Sequence, residues 1–196
     1  MSGGTTLQEA RRRLGLTQVR AASLLGTSQA NVSAYESGRL EPGRVVGGRI
    51  DALAALAPTS AYRTGHLSTL ASASAQLRAD LHDGRSQTDM LRVAIQASDD
   101  FARLEDDADR ALFLAEPSPT GSRNWDALVA GLAVHLCRTV QAPRVPRWTA
   151  DPTRTVDYVW WVDSPAVTLH AHQVQDAIPS MRSRGVMLSR RNLESV

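Results

Sequence analysis

The chain of 196 residues has no lysine, so each of its 22 basic side chains is an arginine. It has one cysteine, Cys137, which excludes an internal disulfide and a zinc site built from several cysteines. Long apolar runs are also missing. The best apolar helix pattern, residues 125–140, carries His135 and Arg138 and is shorter than the ~20 residues that cross a bilayer. We therefore expect no membrane segment, and we expect Cys137 to be buried in a helix.

The composition is that of a globular protein. Hydrophobic residues make up 42% and charged residues 21% of the chain, and a mean hydropathy of -0.24 argues against residence in a membrane. The first residues, MSGGTTLQEARRR, contain no apolar core before a small-residue cleavage site, so no signal peptide is expected. These features predict a cytoplasmic protein.

Four short helices are predicted near the N-terminus. Apolar residues recur at helical spacing from Leu7 to Leu14, and Gly15 ends this first helix. Thr17 can cap a second helix that ends at Gly26, and Ser28 can cap a third over residues 29–37. A fourth helix is predicted over residues 44–56, weakened by two glycines near its start.

The second and third predicted helices have the features of a helix-turn-helix. Such a motif needs a bracing helix, a tight turn and a second helix whose exposed face reaches base edges in the major groove of DNA. Glutamine can bond adenine in a bidentate manner, and a small side chain can touch a thymine methyl group. The predicted DNA-binding residues are Gln18, Ser28, Gln29, Ala30, Asn31, Ser33 and Arg39, with Arg12, Arg13, Arg20 and Arg44 as further candidates for phosphate contacts.

The segments GLTQ (15–18) and LLGTSQANVSAYESG (24–38) resemble the Xre family of lambda-type repressors. The resemblance implies that Gln18 contacts a phosphate and Gln29 a base, and that Arg11 pairs with Glu36. The chain departs from well-studied repressors at Ala30 and Ala34, where longer polar side chains are common, so fewer direct hydrogen bonds to bases are expected. One short domain of this kind buries little surface, so we expect a homodimer on a double-stranded DNA operator.

Charge divides the chain into three segments. Residues 1–60 carry +3, residues 61–116 carry −4 and residues 117–196 carry +3. Proline- and glycine-containing turns lie near both boundaries. We predict an Xre-type DNA-binding domain over residues 1–60, an acidic helical spacer over 61–116, and a C-terminal partner-binding or regulatory domain over 117–196.

Beyond the first segment the predicted fold stays mainly α. Apolar periodicity predicts helices over residues 67–81 and 91–104, and a helix capped by Asn124. A helix start is expected at Ser164-Pro165, and a short strand at residues 186–188. The C-terminal domain is thus mostly helical with a possible short strand.

Metal binding and catalysis find little support in the sequence. The acidic cluster of Asp99, Asp100 and residues 105–107 suits a solvated helix face better than a cation site. His170 and His172 suit a polar surface better than a zinc site, because no cysteine or acid pair has matching spacing. No nucleophile elbow, P-loop or dinucleotide fingerprint occurs. We expect no metal, no cofactor and no enzymatic activity.

The segments HLSTL (66–70), LFLAEPSPTG (112–121), NWDALVAGLAVHL (124–136) and SRGVMLSRRNLESV (183–196) are similar to a family of actinobacterial Xre-type proteins. Members often lie beside nucleotidyltransferase-like toxins, which implies an antitoxin that represses its own operator. Tryptophan and arginine dominate interface hot spots. The predicted partner-binding residues are Trp160, Trp161, Arg182, Arg184 and Arg190.

Two alternatives remain open for this C-terminal segment. Its four tryptophans suit a small domain core as well as an interface, and its arginines suit a solvated tail. A second function, a stand-alone transcriptional regulator whose C-terminal domain senses a small ligand, is therefore kept beside the antitoxin hypothesis.

Overall fold

The computed structural model describes residues 3–64, 66–162 and 174–193. Within these ranges the chain is mainly helical, with one two-stranded sheet, so the predicted fold class is confirmed. The chain forms two compact units, Met1–Ala75 with Asp100–Ser118, and Gln76–Asp99 with Pro119–Val196. The three-segment division by charge is not tested by this grouping and stays a prediction.

The first unit contains four short helices in succession. They are α1 (Gly3–Arg13), α2 (Gln18–Leu25), α3 (Gln29–Glu36) and α4 (Arg44–Ala54). All four predicted helices are present, and α3 and α4 end one and two residues earlier than predicted. The unit also holds α7 (Asp107–Phe113), the start of α5 (Leu70–His82) and the end of α6 (Gln87–Ala102).

Side-chain caps and one glycine fix the ends of α2 and α3. The Thr17 side chain accepts a hydrogen bond from the Arg20 N–H, and Ser28 accepts one from the Asn31 N–H, each at 3.1 Å. Gly26 ends α2 with a φ of 58°, a left-handed conformation that costs glycine least. These local signals hold the two helices apart by a three-residue turn.

The core of the first unit lies between α1, α2, α3 and α4. Leu7, Leu24, Val32 and Leu53 from these four helices have no exposed surface. Burying a leucine or valine side chain contributes about 1.5–3 kcal/mol. The apolar stripes of all four helices therefore converge and fix the position of α3.

The acidic cluster corrects one expectation from the sequence. Glu105 and Asp107 are exposed, but Asp100 is buried, and its carboxylate accepts a hydrogen bond from the Ser68 N–H at 2.7 Å. Asp106 caps α7, a helix that the sequence did not predict. Part of the cluster thus binds backbone N–H groups of its own unit: Asp100 because a buried carboxylate needs hydrogen-bond donors, and Asp106 as a helix cap.

The second unit is built around α8 (Arg123–Thr139), whose residues are largely buried. Its N-cap is Ser122, so the predicted cap at Asn124 is wrong by two residues. Gly131 in α8 packs against Ser180 of α9 (Pro179–Arg182), and the Ser180 hydroxyl donates to the Gly131 carbonyl at 2.9 Å. The absence of a side chain at Gly131 lets the two helices approach closely.

The small sheet also belongs to the second unit. Strand β1 (Trp160–Trp161) pairs in parallel with β2 (Val186–Met187), with Trp160 opposite Val186. The strand expected at residues 186–188 is therefore present, one residue shorter. The helix start expected at Ser164-Pro165, and both His170 and His172, lie outside the described residues.

The fold bears on the predicted burial of Cys137 and on the predicted absence of a membrane segment. Cys137 is buried in α8, as predicted. In the part of the chain that the structure describes, no helix has the length and apolar character needed to cross a bilayer.

Candidate nucleic-acid interface

The exposed face of α3 carries short polar and small side chains. Gln29 and Ala30 are exposed at the start of the helix, and Ser33 is half-buried one turn later. Val32 and Tyr35 point the other way, into the core. This pattern leaves a compact polar surface that can approach the base edges of a major groove.

Two predicted DNA-binding residues also hold the start of α3 in place. Ser28 caps the helix, and the Asn31 side chain donates a hydrogen bond to the Thr27 hydroxyl at 2.9 Å. Their side chains therefore order the turn before α3. Within α3, Gln29, Ala30 and Ser33 remain as the predicted residues that present their side chains outward.

A chain of four side chains joins α1, α2 and α3. Arg11 donates two hydrogen bonds to the Glu36 carboxylate, at 2.6 and 3.1 Å. Gln18 donates to the same carboxylate at 2.9 Å, and Gln29 donates to the Gln18 side-chain oxygen at 3.3 Å. Arg11 and Glu36 thus form the pair that the family resemblance implied, and they hold Gln18, which in turn orients Gln29.

Burial and charge act together on Glu36. Its side chain is only 4% exposed, and burial alone would raise the pKa of the carboxyl group. Hydrogen bonds from Arg11 and Gln18 outweigh that effect, so the Glu36 pKa lies below its ordinary value. Hydrogen bonding to Glu36 likewise raises the pKa of Arg11. The pair is charged near neutral pH and fixes the position of α3 relative to α1.

The arginines proposed for phosphate contacts divide into two groups. Arg13 donates to the Ala54 carbonyl at 2.7 Å, Arg20 donates to the Leu67 carbonyl at 2.7 Å, and Arg44 pairs with Glu116 at 3.2 Å. These three bind within their own unit. Arg12 and Arg39 are exposed, and Arg39 donates to the nearby Ser37 hydroxyl at 2.9 Å. They are the better candidates for contacts with a DNA backbone.

The predicted partner-binding residues lie in the second unit and differ in exposure. Trp160 is buried, with its ring 5.1 Å from that of Trp125, and Trp161 is half-buried. Arg184 donates to the Thr149 carbonyl at 2.6 Å and so supports the unit itself. Arg182 and Arg190 are exposed. Partner binding by these five residues stays a prediction, and the exposed arginines fit it best.

Sequence reasoning missed one buried residue, Arg49, which holds the end of α2 in place. Arg49 in α4 is fully buried, and its guanidinium donates to the Leu25 carbonyl at the end of α2. It also donates to the Glu116 carbonyl at 2.8 Å and to the Ser118 hydroxyl at 2.6 Å. The apolar stripe of α4 gives no hint of this role, because both the carbonyl of Glu116 and the hydroxyl of Ser118 come from a distant segment.

Comparison with known proteins supports the presence of a helix-turn-helix in the first unit. Residues 4–61 match the family model described as a helix-turn-helix domain. The chain matches no curated protein and no solved structure. The match covers α1 to α4, with the motif formed by α2 and α3 at its centre. Residues 4–61 therefore form a helix-turn-helix domain, which supports a DNA-binding regulator.

Proposed function

We propose that the protein is a sequence-specific transcriptional regulator of the Xre type that binds double-stranded DNA through α3. The observation that carries this proposal is the hydrogen-bonded chain from Arg11 to Gln29, which presents an exposed glutamine at the start of a helix-turn-helix reading helix. A glutamine held in this way is suited to a bidentate contact with adenine. The role requires binding and no catalysis.

The test uses the full chain and the DNA upstream of its own coding sequence. Fluorescence anisotropy at one salt concentration would compare this DNA with a scrambled duplex of the same composition, because non-specific affinity depends strongly on salt. We expect at least a hundredfold preference for the upstream DNA. Equal affinity for both duplexes would exclude sequence-specific binding at this site.

We further propose that the protein is an antitoxin that represses its own operator and neutralises a nucleotidyltransferase-like toxin. The support is the similarity of the C-terminal segments to antitoxin-like proteins, together with the exposed arginines Arg182 and Arg190. Arginine is among the residue types that contribute most at protein interfaces. The second unit would then hold the toxin and the first the operator.

Co-expression of the full chain with the product of the adjacent gene tests this role. The two proteins should co-purify, and growth inhibition by the toxin should be relieved. A Gln29→Ala variant should still relieve toxicity, since that residue belongs to the DNA-reading helix, whereas an Arg182→Glu, Arg190→Glu variant should not. If the wild-type chain binds no neighbour-encoded protein and relieves no toxicity, the antitoxin role is wrong.

A ligand-sensing regulator is the second candidate function. It is favoured by one observation, a cavity of about 450 Å³ in the second unit with arginine and histidine side chains in its wall. Cavities of this size hold small metabolites in other proteins. An adjacent toxin gene would favour the antitoxin, and an adjacent metabolic operon would favour ligand sensing.

A further inference from the structure

A cavity of about 450 Å³ opens on the second unit between α6, α8, α9 and the segment that follows α9. Its polar wall includes Ser98 from α6, His135 and Arg138 from α8, and Arg190. Pro179 and Leu193 add apolar surface. The cavity therefore combines cationic groups with a non-polar patch, as sites for small organic anions do.

The two guanidinium groups in this wall are available to a ligand. Arg138 and Arg190 are both exposed at the cavity, and neither has an ion-pair partner among the residues that the structure describes. Arginine presents a planar fork of N–H donors that matches the oxygens of a phosphate or carboxylate. Two guanidinium groups at one cavity favour an anion that carries more than one negative charge.

The pKa of His135, a third residue in the cavity wall, is affected by the positive charge of the same two arginines. Burial lowers the pKa of its imidazole first, and the charges of Arg190 and Arg138 lower it further. Both arginines are therefore close enough to act on this ring. A bound anion would offset their charge and raise the His135 pKa, which gives the ring a measurable response to a ligand.

The remaining charged groups near the cavity leave its net charge positive. A neighbouring cavity shares Arg190 and is lined also by Asp176 and Arg191. Asp176 and Arg191 pair with each other at 3.6 Å, so the carboxylate charge is largely offset. Among the described residues lining the two cavities, arginines outnumber acids by three to one.

We propose that this cavity binds a small metabolite carrying a phosphate monoester, with Arg138 and Arg190 on the phosphate and Pro179 and Leu193 against the organic part. A phosphate monoester carries a charge of about −1.5 to −2 at neutral pH, which matches two guanidinium groups better than the single charge of a carboxylate does. Ser98 in the cavity wall can donate a further hydrogen bond from its hydroxyl. A volume of 450 Å³ exceeds what inorganic phosphate needs and fits a sugar phosphate or a mononucleotide.

The proposal deepens the second candidate function, that of a ligand-sensing regulator. It concerns groups of the second unit alone, so it depends on neither DNA reading nor a toxin. Its failure would be seen as a lack of ligand binding by a protein that still binds its operator.

Calorimetric titration of the full chain provides the test. The probes are ribose 5-phosphate, adenosine monophosphate and inorganic phosphate, with ribose and a small monocarboxylate as comparison ligands. We expect at least one monoester to bind tenfold or more tightly than inorganic phosphate, and no binding of ribose. Equal affinity for inorganic phosphate and every monoester, tighter binding of the carboxylate, or no binding of any probe would overturn the proposal.

Variants assign the binding to the cavity. Arg138→Gln and Arg190→Gln should each weaken monoester binding at least tenfold, whereas Arg144→Gln, an exposed arginine that does not line the cavity, should change it less than twofold. Thermal unfolding without ligand checks that each variant is folded. Equal losses in all three variants would show that the effect is general charge rather than this site.

The His135 ring provides a readout that needs no variant. In a pH titration followed by NMR of the imidazole, the bound monoester should raise the His135 pKa, while ribose should leave it unchanged. A ligand that binds without moving the His135 titration lies elsewhere on the protein, and that result would overturn the assignment to this cavity.

Discussion

The side chain of Gln29 donates a hydrogen bond to the side-chain oxygen of Gln18 at 3.3 Å, so the first residue of α3 is joined to the first residue of α2. Gln18 is itself held by Glu36 at the far end of α3. A contact made by Gln29 with a base is therefore coupled to a side chain that lies at the start of the bracing helix. This coupling ties recognition of a base to the position of the whole motif.

Substitution of Gln29 should reduce specificity more than overall affinity for DNA. Gln29→Ala removes a donor and an acceptor worth ~1–3 kcal/mol, so operator binding should fall about 10- to 100-fold while binding to random DNA changes little. Anisotropy titrations at fixed salt on operator and scrambled duplexes measure both. The matched control is Gln76→Ala, an exposed glutamine of α5, which should leave both affinities unchanged. Equal losses on the two duplexes would contradict base recognition by Gln29.

The stability contributed by Glu36 should depend on pH below its ordinary pKa. The folded protein lowers the Glu36 pKa, so this stability is fully present above about pH 4.5 and is lost as the pH falls through the lower folded value. Urea unfolding of wild type and Glu36→Gln at several pH values measures it. The stability gap between the two proteins should narrow as the pH falls below about 4.5. A gap that stays constant down to pH 3 would show that the carboxylate charge contributes nothing.

Gly26 should tolerate alanine worse than Gly38 does. Both glycines have a positive φ, of 58° and 69°, and a non-glycine residue in this region costs about 1–3 kcal/mol. A Cβ at Gly26 would also clash with the Ala71 backbone, whereas at Gly38 nothing lies within 4 Å. Gly38→Ala thus measures the backbone strain alone. Urea unfolding should show a larger loss for Gly26→Ala, and equal losses would mean that the approach of Ala71 is not tight.

Removal of the buried guanidinium of Arg49 should destabilise the first unit strongly. Arg49→Met leaves the carbonyls of Leu25 and Glu116 without a donor, and each unsatisfied buried group costs about 1–3 kcal/mol. The control is Arg44→Met on the same helix, because Arg44 contacts the exposed side of Glu116 and such a pair contributes less than about 1 kcal/mol. The free energy of unfolding measures both. Similar small losses in the two variants would show that the buried hydrogen bonds add little.

The operator is expected to be an inverted repeat bound by two copies of the chain. A helix-turn-helix of this size contacts one half-site, and paired half-sites lie ~34 Å apart on one side of the duplex. Footprinting should show two protected regions separated by one helical turn, and sedimentation of the complex should give two chains per duplex. Protection of a single half-site by one chain would exclude this mode of binding.

The sequence by itself determined the local features of the DNA-binding motif. Thr17, Gly26 and Ser28 set helix ends through capping and backbone conformation, which act over a few residues and are visible in the pattern. The periodicity of apolar residues likewise predicted the four helices. The pairing of Arg11 with Glu36 came from the family resemblance, not from any local signal.

Only the tertiary structure decided which long-range partners the charged residues take. Arg49 belongs to an apolar helix pattern, yet it is buried, because folding brings the carbonyl of Glu116 to its guanidinium from 67 residues away. The sequence placed Asp100 on an acidic surface, yet its carboxylate is buried and accepts a hydrogen bond from the Ser68 N–H. The cavity lined by Arg138 and Arg190 also forms only because folding brings distant segments together. These contacts join segments distant in sequence, and their energy depends on burial and geometry, which no local pattern contains.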